Sequence, residues 1–115
     1  MAGRDDALAA VRLPLPDRLR TDLLRARRQR DDAAVSVIRT TLAAIANAEA
    51  PDLAAVDLRQ AEHPRLGLSN EDLQAIVRAE ITDREDTIRR VEQGGATTEA
   101  AALSEQLVIL RGYLD

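Results

Sequence analysis

The sequence predicts an all-α fold, a small antiparallel helical bundle of three long helices plus a basic helix that precedes them. Residues 31–50 carry Val35, Ile38, Leu42 and Ile45 at the three-four spacing of one helix face. The 115-residue chain is 45% hydrophobic yet holds one aromatic residue, Tyr113, so its core must be filled by Leu, Ile, Val and many Ala, which favour helix and let helices approach closely. No stretch makes a convincing strand, whereas helix starts and stops bracket each apolar stripe. This length supports a single core, so one domain is expected over residues 16–115, after a flexible arm or short helix over residues 1–15.

In chain order, Asp5 to Val11 reads as a helical turn or a frayed arm, stopped by Leu13-Pro14-Leu15-Pro16 because each proline forces the residue before it out of the helical region. Pro16 suits the first position of a helix that runs to about Arg30 with Leu19, Leu23 and Ala26 inward. Asp31 or Asp32 caps the central helix, which ends before Pro51, so the two helices meet at Arg30-Asp31 as a tight corner or a kink. Beside its apolar stripe the central helix carries small and polar residues, Ser36, Thr40, Ala43 and Asn47, and the spacing predicts packing on more than one side. From Pro51 to Leu68 the periodicity fades, with a loop at His63-Pro64-Arg65-Leu66-Gly67 and room for one short turn around Leu53 to Leu58.

Ser69 caps the next helix, and Glu71 and Asp72 lie in its first turn, where the helix dipole favours acids. This helix runs to about Gln93 with Leu73, Ile76, Val77, Ile81, Ile88 and Val91 as its apolar positions, and Gly94-Gly95 stops it. Glu80–Arg84, Glu85–Arg89 and Asp86–Arg90 are acid-to-base pairs at four-residue spacing on a mostly solvated face. Arg84 nevertheless falls between Ile81 and Ile88 and needs a carboxylate or carbonyl there; Glu49 is the expected partner. Thr97 or Thr98 caps the last helix, whose stripe is Leu103, Leu107, Leu110 and Leu114.

Charge is unevenly placed. All sixteen basic residues are Arg; residues 1–30 hold eight against four acids, and the rest of the chain holds eight against sixteen. Arg18, Arg20, Arg25, Arg27, Arg28 and Arg30 crowd one helix, a density that suits phosphate or an acidic partner, or else pairing with the acidic remainder of the bundle. The absence of cysteine excludes disulfides, thiolate catalysis and Cys-based metal sites, and makes the cytoplasm the natural compartment. No signal peptide and no membrane-length apolar run is legible.

Catalysis finds few candidates. His63 is the only imidazole, with no second His or Cys for a metal site or a nucleophile relay. Glu80, Asp83 and Asp86 share one side of a helix, as a divalent cation would need, but each has arginine neighbours that compete for it, and no glycine-rich phosphate loop follows a strand. Neither a catalytic residue nor a cofactor or metal ligand is therefore assigned.

Several stretches resemble one family. Val35-Ser36-Val37-Ile38-Arg39 followed by Asn47-Ala48-Glu49 resembles the SVLR…NAE helix of the GatB/YqeY-like proteins, small bacterial proteins related to the carboxy-terminal region of the GatB subunit of tRNA-dependent amidotransferase. Arg84-Glu85-Asp86-Thr87-Ile88 is similar to that family's R-x-D-S-I segment, and Ile109-Leu110-Arg111-Gly112-Tyr113-Leu114 to its I-L-x-x-Y-L stretch. Order and spacing agree over roughly Leu15 to Leu114. The sequence departs from the pattern in a longer 51–68 loop, in Gly95-Ala96 where the family has Gly-Arg, and in Tyr113-Leu114-Asp115 where it has Y-L-P. The resemblance implies the family's first helical half alone, without the small domain that normally follows. It implies a tRNA or an amidotransferase component as partner, and carbon–nitrogen ligase activity with glutamine as amido donor only within a complex. On this reading Arg18, Arg25, Arg27, Arg28 and Arg39 are the candidate nucleic-acid or partner contacts, and Asn47, Glu49, Arg84 and Tyr113 are structural polar positions. The alternative is a protein-interaction or structural helical module with no nucleic-acid role, built on uncovered Leu and Ala faces.

Overall fold

The computed structural model describes residues 13–50 and 67–115, which form four helices in an antiparallel all-α bundle. These are α1 (Leu15–Gln29), α2 (Asp32–Glu49), α3 (Asn70–Gln93) and α4 (Thr97–Arg111). The readings of residues 1–12 as an arm and of 51–66 as a loop, with His63 and the turn near Leu53, lie outside the described residues.

Each junction has a local cause. Pro16 stands in the first turn of α1, where its missing N–H costs nothing. Arg30 ends that helix in the left-handed conformation (φ 55°), with the Asp31 N–H bonded to the Ala26 carbonyl at 2.9 Å and the Arg30 N–H to that of Arg27 at 3.2 Å. The α1–α2 junction is therefore a tight corner and not a kink. Asp31 caps α2 by accepting from the Ala34 N–H at 3.1 Å. Ser69 and Asp72 close a reciprocal capping box on α3, and the Ser69 backbone N–H holds the Asp72 carboxyl below its ordinary range. Gly95 (φ 83°) turns α3 into α4 while the Ala96 N–H bonds back to the Val91 carbonyl at 2.8 Å. That turn leaves Ala96 as the residue before α4, with no side-chain cap, in place of the expected Thr97 or Thr98.

α2 is the central helix and packs against all three others, while α3 and α4 form the most extensively packed pair. Leu15, Leu19, Ala26, Ala34, Val37, Ile38, Ile45, Leu73, Val77, Ile81, Leu107, Leu110 and Tyr113 make one core. Val35 and Leu42 are only half-buried at its margin, because α2 is turned so that Val37 and Thr41 point inward beside Ile38 and Ile45. Buried Thr41 satisfies its hydroxyl on the Val37 carbonyl at 2.8 Å, which is how a polar residue sits in this seam. Ser36, Thr40, Ala43 and Asn47 face solvent, so the second face expected to pack is the outer side of α2.

The end of the chain is held by α3. The Gln74 amide is buried; it donates to the Tyr113 carbonyl and accepts from the Asp115 N–H, both at 3.0 Å, while the Asn70 amide donates to the Asp115 carboxylate at 2.8 Å. These bonds fix Tyr113 as the residue on which the end of α4 meets α1.

Candidate functional site

The chemistry-bearing residues gather where the end of α4 enters the crook of α1 and α2. An open pocket of about 300 Å³ lies there, with Arg18, Asp22, Arg25 and Gln29 along one flank of α1. Asp31 and Ala34 at the start of α2 border it, and Ile109, Gly112 and Tyr113 close it from α4. The four α1 residues recur at three- and four-residue steps beside the Leu15-Leu19-Ala26 stripe, which places them on the same flank.

Inside the pocket the groups pair in a definite order. The Tyr113 hydroxyl donates to the Asp22 carboxylate, and the Arg25 guanidinium meets the same carboxylate. Arg18 lies over the Tyr113 ring, 5.2 Å from its centroid, and donates at 3.5 Å to the Gly112 carbonyl. Tyr113 is 5% exposed, and burial, then the Asp22 carboxylate, pushes its phenol well above the ordinary tyrosine range. The hydroxyl is thus a fixed donor at neutral pH and no base.

This has a measurable consequence, because the chain has no Lys, no Cys and only this one Tyr. A phenol whose pKa is raised on folding contributes stability that is fully present below its unfolded value, about 10, and is lost as pH rises through the folded value. Thermal stability is expected to fall above about pH 10, with tyrosinate absorbance at about 295 nm appearing only together with unfolding. Tyr113→Phe should be less stable at neutral pH and should lack that alkaline decline. A free titration of the folded protein near pH 10 would contradict the buried Tyr113–Asp22 bond.

The structure brings Arg18, Arg25 and Tyr113 together and leaves the other candidates apart. Arg27 and Arg28 are exposed on the outer side of α1 and make no ion pair among the described residues. The arginines of α1 that do pair find acids on their own helix, Arg20 with Asp17 at 3.3 Å and Arg25 with Asp22, and not in the acidic remainder of the bundle. Arg39 and Asn47 are exposed on α2, outside the pocket wall, and Glu49 is half-buried near the end of that helix.

Arg84 is the mostly buried guanidinium expected from its place on the stripe, but its partner is not Glu49. Its Nε donates to Gln106 Oε1 at 2.8 Å, its Nη1 to the Glu80 carbonyl at 3.1 Å, and it forms an ion pair with the Glu80 carboxylate at 3.5 Å. Glu80 lies one turn before Arg84 on the same inward stripe, so it reaches the guanidinium without leaving its helix. The pair is therefore shielded, with side chains 11% and 13% exposed, and not on the solvated face. The outer pairs also differ: Asp86 meets Arg89, Glu85 reaches across to Arg111 of α4 at 3.4 Å, and Arg90 donates to the Thr87 hydroxyl at 3.1 Å. Among the described residues no three His, Cys, Asp or Glu side chains come together to hold a metal ion, Glu80, Asp83 and Asp86 included.

Asp22, Gln29 and Gln106 join these sites without belonging to any motif of the sequence. Asp22 was legible in principle, four residues after Arg18 and three before Arg25; its bond to Tyr113 spans the chain and leaves no local sign. No described helix is long and apolar enough to cross a membrane. Compared with models of known families, with curated proteins and with solved structures, the chain matches none.

Proposed function

We propose that this protein is a non-catalytic binding module of the GatB/YqeY-like type that meets tRNA, or a component of the tRNA amidotransferase machinery, through the arginines of α1. The observation that carries this reading is the outer side of that helix. Arg27 and Arg28 are exposed there with no ion pair among the described residues, in a helix with five arginines and two aspartates. Exposed cations without an acidic partner are available to phosphate. The resemblance of residues 35–39, 47–49, 84–88 and 109–114 to the family supplies the class of partner. Carbon–nitrogen ligation with glutamine as donor belongs, on this reading, to the complex and not to this chain. A bacterial cytoplasm is the matching setting.

Gel-shift titration with bulk tRNA tests it. Binding is expected to be weak, to fall steeply as salt rises, and to drop in Arg27→Gln/Arg28→Gln, whose plot of log affinity against log salt should be shallower by about 1.5. Arg25 is excluded from the variant because Asp22 already occupies it. No binding by the parent at about 50 mM salt, or equal binding by the variant, overturns the proposal.

A second reading, a protein-interaction module, draws on Leu24, which is 53% exposed on this arginine-rich helix. An acidic amphipathic segment would cover both the leucine and the charges. Leu24→Ser separates the two, since it should leave tRNA retention unchanged under the first reading and weaken capture of a protein partner under the second.

A further inference from the structure

The geometry points to a second binding site, independent of the nucleic-acid reading: the pocket between α1, the start of α2 and the end of α4 takes a small organic carboxylate with an apolar body, held by Arg18. Asp22 is engaged twice, by the Tyr113 hydroxyl and by Arg25, so it neutralises Arg25 and has little capacity left for Arg18. The Asp31 carboxylate accepts from the Ala34 N–H and sits at the positive end of α2. Of the two cations that line the pocket, Arg25 is paired with Asp22, and Arg18 has no charged partner within ion-pair distance among the described residues. Its face is used against the Tyr113 ring and one N–H makes a long 3.5 Å contact to the Gly112 carbonyl. The rest of its planar fork of donors remains for a ligand.

The apolar wall is supplied by Ala26, Ala34, Ile38 and Ile109. A cavity of about 300 Å³ that sets this apolar patch beside charged and polar side chains is at the small end of ligand sites. Guanidinium matches carboxylate in a planar, two-bonded contact. A singly charged carboxylate is favoured over a doubly charged phosphate monoester because Asp22 and Asp31 balance the two arginines of the lining and leave no excess positive charge to hold a second negative one.

The test uses isotope-labelled whole protein titrated with benzoate, benzyl alcohol and phenyl phosphate, read at the Arg18 Nε–H and Gly112 N–H resonances. Benzoate should half-saturate both near about 10 mM, the order of affinity that a ligand of this size reaches at ordinary efficiency. Benzyl alcohol and phenyl phosphate should bind more weakly. Arg18→Gln should weaken benzoate roughly tenfold, the value of a lost charge-assisted contact. If Arg18→Gln loses its helical circular dichroism, Arg18→Lys decides: weakened benzoate saturation supports the two-bonded contact, and unchanged saturation overturns it. Equal binding of benzyl alcohol, tighter binding of phenyl phosphate, undiminished binding by a folded Arg18→Gln, or no saturation up to roughly 50 mM each overturns the proposal. Loss of tRNA binding in Arg27→Gln/Arg28→Gln leaves this outcome untouched, since neither residue borders the pocket.

Discussion

Arg84→Met is expected to cost about 3 kcal/mol of folding stability, because it leaves a shielded carboxylate without its counter-charge. Glu80 Oε1 is buried and has no hydrogen-bond donor, so Arg84, 3.5 Å away, is what stabilises its charge. The converse change is milder. In Glu80→Leu the guanidinium keeps its bonds to Gln106 and to the main-chain carbonyl of residue 80, and the leucine adds apolar surface to the α3–α4 seam. The double variant Arg84→Met/Glu80→Leu should therefore recover much of the loss, as replacement of a whole buried pair by apolar side chains does elsewhere. Urea unfolding of the four proteins completes the cycle. A coupling of about 1–3 kcal/mol is expected, and simple additivity would show that the two groups do not interact. Glu49→Gln, by contrast, should not couple to Arg84.

The other large effect is in the central helix, where the structure ranks residues that the sequence treats alike. Ile38→Ala should cost about 2–5 kcal/mol, since Ile38 is 2% exposed and lies between α1 and the end of α4. Leu42→Ala should cost about 1–2 kcal/mol, since only part of that side chain leaves water on folding. Thermal and urea denaturation of both variants gives the comparison. Equal losses would mean that α2 is not rotated as described. Thr41→Val provides a check in the same seam, because the hydroxyl it removes is bonded only to its own helix.

Positions where local chemistry decides conformation were legible from the chain itself. Pro16, Asp31, Ser69 and the Gly94-Gly95 pair set helix boundaries through a missing N–H, a carboxylate that reaches its own third N–H, a hydroxyl that does the same, and freedom at positive φ. None of these needs a distant partner. The start of α4 departs from its local signals for a related reason. Thr97 and Thr98 are good caps in isolation, but the Gly95 turn spends the Ala96 N–H on the preceding helix and starts α4 before either is positioned to act.

What the sequence determined by itself is the all-α class, the four helices with nearly all their ends, and the need of Arg84 for an acid or carbonyl. These follow from periodicity and from interactions within about one turn, which are written in order along the chain. The tertiary structure alone decided the rotation of α2, the inward turn of Glu80, and the convergence of Arg18, Asp22 and Arg25 on Tyr113. A helix with apolar residues around half its circumference can bury either edge of that arc at similar cost in isolation, and its neighbours choose. Val37 and Thr41 are buried because α1, α3 and α4 all meet α2, and the Tyr113–Asp22 bond joins residues 91 positions apart that no spacing rule connects.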